Sequence, residues 1–98
     1  MSEEQKKAYK PKEVTLKLEE PIEWGSEMIE ELVLKRPTAK DIEHLSSNPT
    51  MKELMTIGAN CARQPIAMIR KMDGGDAMAL VEIVGDFLEN SRRIGTRN

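Results

Sequence analysis

Residues 32–45 read LVLKRPTAKDIEHL, and the apolar pattern changes period in the middle. Before Pro37, Leu32 and Leu34 alternate with Val33 and Lys35, the period of two that lines one face of a strand. After it, Ile42 and Leu45 stand three apart, a helical spacing. Proline cannot donate to a sheet ladder and biases Arg36 toward extended backbone, so a strand should end there. Thr38 can then cap a helix, with Asp41 three residues on as a shortened capping box. Strand exit and helix cap account for each residue of Lys-Arg-Pro-Thr without a phosphorylation or anion site.

Working toward the N-terminus, MIEELVLK alternates through Met28, Glu30, Leu32 and Leu34, with Ile29 and Val33 on the opposite side. EVTLKLEEP does the same through Val14, Leu16 and Leu18. Pro21 and Gly25 read as the turn region between two strands, which makes residues 13–36 a β-hairpin. A lone hairpin is barely stable in water, so helices must cover its apolar face. Residues 1–12 are polar, carry four Lys against two Glu, and are expected to be a disordered basic lead-in.

Toward the C-terminus, residues 37–90 are expected to be helical and part of the same single domain. Ser46 to Pro49 stop the short helix after Thr38. A second helix is predicted from Thr50 to Ala62, with Met51, Leu54, Met55, Gly58, Cys61 and Ala62 on its apolar stripe. IAMIRKM gives a short third helix with Ile66, Ile69 and Met72 inward. Asp73 and Asp76 mark the start of a fourth over Gly74–Asn90, where an acid complements the helix dipole. Its stripe is Ala77, Leu80, Val81, Val84, Phe87 and Leu88, and Gly95 can close it. Residues 91–98 are expected to be a flexible basic tail. The fold class is α+β: an N-terminal β-hairpin packed on a bundle of about four short helices.

Of 98 residues, 39% are hydrophobic and 33% charged, and only Tyr9, Trp24 and Phe87 are aromatic, so the core must be aliphatic. One cysteine, Cys61, excludes an intrachain disulfide and a cysteine-based zinc site. No apolar run approaches a membrane span, no signal-type core opens the chain, and an intracellular protein is expected. His44, the only histidine, lacks an activated partner, and Cys61 sits on an apolar stripe as a small hydrophobe. DGGD at 73–76 lacks the oxygen ligands of a calcium loop and the Gly-Lys-Ser/Thr ending of a phosphate loop. No catalytic residue, cofactor or metal is expected, and binding is the expected work.

Two surfaces stand out for binding. Residues 13–34 hold seven Glu against one Lys, an acidic hairpin that either blunts its own edges or meets a basic partner. Ile57, Met68, Met78 and Ile83 lie off the main stripes of their helices. If exposed together they form an adhesive apolar patch, and thioethers suit varied apolar clients.

The run VTLKLEEPIEWGSEMIEELVLKRPTAKDIEHL, and after a gap PIAMIRKMDGGDAMALVEIVGDFL, resembles the tail assembly chaperones of Mu-like and P2-like contractile-tailed phages and prophages. The resemblance rests on Leu18, Pro21-Ile22, Gly25, the Leu32–Pro37 segment, Asp41, Pro65-Ile66 and the Ile69–Asp76 run, over about residues 13–90. It implies a non-enzymatic protein that binds the tape measure protein, helps tail tube protein assemble around it in the host cytoplasm, and is absent from the mature virion. It also implies that a ribosomal frameshift can give a longer form, of which this chain looks like the unextended one. Homo-oligomers stay open and a membrane role is not expected. The alternative is a small DNA-associated phage regulator using the basic termini, against which the acidic hairpin argues; nucleic acid is not the expected partner.

Overall fold

A computed structural model describes residues 12–96, with side chains through Glu89. The expected α+β architecture is present: a two-stranded antiparallel sheet followed by four helices. Strands β1 (Glu13–Trp24) and β2 (Glu27–Lys35) form the hairpin. Helices α1 (Ala39–Ile42), α2 (Met51–Ala62), α3 (Ile66–Ile69) and α4 (Gly74–Thr96) follow.

The hairpin is longer than the sequence pattern indicates. β1 runs through Pro21, and the turn shrinks to Gly25-Ser26, with Gly25 at φ +65°, where a side chain would be strained. Proline is tolerated because the ladder is already broken there. Lys17 pairs with Glu31 and Ile22 with Ile29, so residues 18–21 stand opposite Glu30 alone. The bulge also shifts the phase of β2. Leu32 and Leu34 face the core, as expected, but Ile29 rather than Met28 turns toward it near the tip. Met28 is 57% exposed.

The helices cover the hairpin's apolar face, α2 against β2 and α4 against β1. Where α2 meets α4, a Cβ on Gly58 would lie 2.8 Å from Leu80 Cδ2 and 2.9 Å from its Cγ. Only glycine permits that approach. The most enclosed side chains are Leu34, Cys61, Met68, Ile69, Leu80 and Val84, from both layers. Burying each of the larger ones stabilises the fold by roughly 1.5–3 kcal/mol before ordering costs.

The helix signals are largely as expected, with additions. The Thr38 N–H donates to Asp41 Oδ2 at 2.8 Å, starting α1. Thr50 and Glu53 form a full capping box on α2, with bonds of 2.9 and 3.1 Å. Arg63 closes α2 in left-handed conformation at φ 59°. Helix α4 continues past Asn90 to Thr96, because no proline interrupts it and Gly95 falls only in its last turn. The lead-in expected over residues 1–12 lies outside the described residues except for Lys12, whose carbonyl accepts the Arg36 N–H at 3.0 Å.

Asp73 and Asp76, both read as helix-start residues, divide the work. Asp73 Oδ2 accepts the Gly75 N–H at 2.9 Å. Asp76 is 4% exposed, and its two carboxylate oxygens accept the N–H groups of Glu19 and Glu20 at 3.1 and 3.0 Å. It thereby satisfies backbone donors in the bulge and ties α4 to the hairpin.

Candidate interaction surface

Cys61 belongs to the interior, and Arg36 is half-buried at its edge. Cys61 is 1% exposed, and burial, with the Asp41 charge adding to it, pushes its thiol from 9.0 up to about 11. A thiol held protonated is a poor nucleophile. The Arg36 guanidinium lies 5.7 Å from the Phe87 ring centroid, a cation–π contact that joins the strand exit to α4. Lys-Arg-Pro-Thr is therefore a structural joint. His44 is solvent-exposed, its Nε2 3.6 Å from the carboxylate of neighbouring Glu43. Among the described residues, no group of three or more metal-binding side chains converges, and no helix is long and apolar enough to cross a membrane.

The four residues expected to form an adhesive patch do not meet on the surface. Ile57 and Met68 are buried, at 4% and 1% exposure, which corrects the expectation that they are displayed. A single apolar stripe suits a helix covered from one side, whereas α2 touches β2, α1, α3 and α4. Its buried arc widens until it takes in Ile57 and Ala59. Helix α3 is a single turn packed on α2, too short to have an outer face at Met68. Met78 is 60% exposed, but Ile83 is half-buried against the core. Five positions on one helix put them about 140° apart, on different faces.

The remaining exposed apolar side chains are scattered. Met28 and Val33 are on the hairpin, Met51 on the first turn of α2, and Met78 on the solvent face of α4 near Glu82. The outer hairpin face around Val33 is charged in both signs: Glu13 pairs with Lys35, and Lys17 with Glu31, either side of Thr15–Val33. That arrangement discourages strand addition.

Two concave regions lie where α1 crosses α2. One cleft of about 400 Å³ is polar, bordered by Thr38, Asp41, Asn60, Arg63 and Gln64. Beside it, sharing Asp41 and Asn60, a groove of about 300 Å³ has Leu45 and Ile57 among its lining residues. Lys40, His44 and Lys52 stand around it with Thr56. Its acids are engaged locally: Asp41 accepts from Thr38, and Glu53 Oε1 accepts from the Thr50 N–H and the Ser46 hydroxyl. Hydrogen bonds from neutral donors leave both carboxylates charged, so the two lysines at the rim are balanced by two acids. Sequence periodicity missed this groove because α1 supplies only one turn of pattern. The off-stripe position of Ile57 was the available signal, since it marks a second contact on α2. The basic chain ends expected to touch phosphate in the DNA-binding alternative lie outside the described side chains, apart from Lys12.

A family model described as phage tail assembly chaperone proteins, E, or 41 or 14, matches residues 15–89, about three quarters of the chain. No curated protein and no solved structure matches it.

Proposed function

Because the chain belongs to the phage tail assembly chaperone family, we propose that it binds the tape measure protein, keeps that long apolar client from aggregating, and assists tail tube protein to assemble around it. It performs no chemistry in this role. It acts in the cytoplasm of the bacterial host and leaves before the virion is complete.

The supporting observation is the pairing of family membership with the groove between α1 and α2, an apolar floor with charge around it. Contact of this kind is driven by removing apolar surface from water and needs no substrate turnover. The described methionines do not form one client patch: Met68 and Met72 are core, and the exposed Met28, Met51 and Met78 sit on three different elements.

Co-expression tests the proposal. The tape measure protein of the same phage or prophage should be found in the pellet when expressed alone, and in the supernatant bound to this chain when the two are made together. Client that precipitates equally in both cases refutes the reading.

A further inference from the structure

We infer that helix α4 carries a second seam, beside the one that joins the core, and that its occupant is the same helix of a second copy of this chain, packed antiparallel. The inference goes beyond the client reading and does not depend on it.

The α4 stripe expected from the sequence divides in two. Ala77, Leu80, Val84 and Phe87 are buried, whereas Val81 and Leu88 stay half-buried and Met78 is 60% exposed. From Met78, the positions Val81, Gly85 and Leu88 follow at spacings of three, four and three. Arg92 comes four further on and Gly95 three after that, in a helix that runs to Thr96. This alternation of three and four is a heptad seam, the repeat that keeps one line of residues facing a neighbouring helix.

Gly85 is a separate observation pointing the same way. A glycine inside a helix weakens it relative to alanine. At Gly58 that cost has a reason within the fold, because a Cβ there would collide with Leu80. A Cβ on Gly85 would meet nothing within 4 Å, so the monomer has no need of glycine at that position. A notch on a half-exposed helix line receives the knob of another helix.

Size and charge select a second copy in antiparallel order. With Gly85 opposite Leu88, each large residue of the line meets a small one: Leu88 enters the notch at Gly85, and Met78 meets Gly95. Val81 then meets Arg92, whose methylene stem can cover it. Two-fold symmetry makes every contact occur twice. The same register brings Arg92 beside the second copy's Glu82. Glu89 comes near that glutamate too, so Arg92 is the residue that offsets the two acids. A parallel pair would instead set Glu82, Asp86 and Glu89 each against its own copy. One seam of about 26 Å buries less than the roughly 1,200 Å² of a standard stable interface, so the dimer is weak and concentration-dependent.

The test is sedimentation velocity on the full chain, which should show a monomer–dimer equilibrium between ~10 µM and ~1 mM. Gly85→Gln fills the notch with a good helix former that meets open space in the monomer. It should melt no lower than wild type, while its dimerisation weakens by about tenfold or more. Arg92→Glu should weaken dimerisation comparably, and adding Glu82→Arg should recover most of that loss. Met51→Glu, which puts a charge on an exposed methionine of α2, should dimerise like wild type. Thermal melts followed by circular dichroism check folding, and the Arg92 and Glu82 variants decide the matter if Gly85→Gln melts low. A chain that stays monomeric over the whole range overturns the inference, as does a dimer that tolerates both Gly85→Gln and Arg92→Glu. Failure of the second charge change to restore association overturns the antiparallel register, and an equal loss in Met51→Glu overturns the seam.

Discussion

Replacing Asp76 by alanine should loosen the hairpin from the helices. The carboxylate is 4% exposed and accepts two backbone N–H groups, from Glu19 at 3.1 Å and Glu20 at 3.0 Å. Hydrogen bonds to a charged group contribute about 1.5–3 kcal/mol each. Two opposing terms reduce the sum: alanine relieves the cost of burying a carboxylate, and residues 19 and 20 are exposed, so water can reach part of the freed backbone. Losing the acid from the first turn of α4 removes a further ~0.3–1 kcal/mol of dipole stabilisation. A net loss of about 2–4 kcal/mol follows, a large part of the 5–15 kcal/mol typical of a domain. At this chain length it should lower Tm by roughly 10–20 °C. Asp76→Asn should fall between alanine and wild type, because its carbonyl still accepts one bond while its NH2 faces the second donor. Urea unfolding followed by Trp24 fluorescence gives the free energies, and hydrogen exchange at the Glu19 and Glu20 amides localises them. Alanine within 0.5 kcal/mol of wild type, with those amides still protected, refutes the latch.

Two further predictions probe the interior. Gly58→Ala gains up to ~1 kcal/mol of helix propensity but forces a Cβ to within 2.8 Å of the buried Leu80, an overpacking that costs about 1–3 kcal/mol, so the variant should be neutral to 2 kcal/mol less stable. Gly58→Val should lose more, and a stabilising Gly58→Ala in urea melts contradicts the close crossing. The Cys61 thiol, raised from 9.0 to about 11, favours the folded state in its protonated form. Its contribution is fully present below pH 9 and is lost as pH rises through 11, on the order of 2 kcal/mol. Wild type should therefore destabilise more steeply than Cys61→Ala between those values, and native Cys61 should resist alkylation at pH 8 while the unfolded chain reacts; parallel pH profiles or equal labelling rates count against this.

The fold was legible wherever one residue type can do only one thing. Pro37 ends β2, Thr38 and Asp41 start α1, and the α4 stripe Ala77, Leu80, Val84 and Phe87 is buried as its spacing indicates. Legibility failed where a tertiary partner changed what a residue could tolerate. Pro21 sits inside a strand because a bulge frees it from the ladder, and the bulge is held by Asp76, more than fifty residues away. No local pattern encodes that bond. Ile57 and Met68 were misplaced for a related reason: periodicity reports one covered face, and these helices are covered on more than one.

The methionines show how the same composition supports two opposite surface readings. With Trp24 and Phe87 as the only aromatics of the described chain, the interior needs adaptable side chains to fill irregular gaps, and Met68 and Met72 do so. Among the described residues, what remains outside is dispersed, so those exposed apolar side chains offer no broad contact surface. A groove that admits one large side chain gains about 1.5–3 kcal/mol from burial, against substantial ordering costs. Single-site holding on the proposed reading is therefore weak and readily reversed. On the proposed function, a long apolar client would overcome this by engaging many copies at once, each shielding a separate stretch of apolar surface. On the same reading, weak individual contacts would let an advancing assembly displace the copies one at a time, with no energy source beyond its own binding.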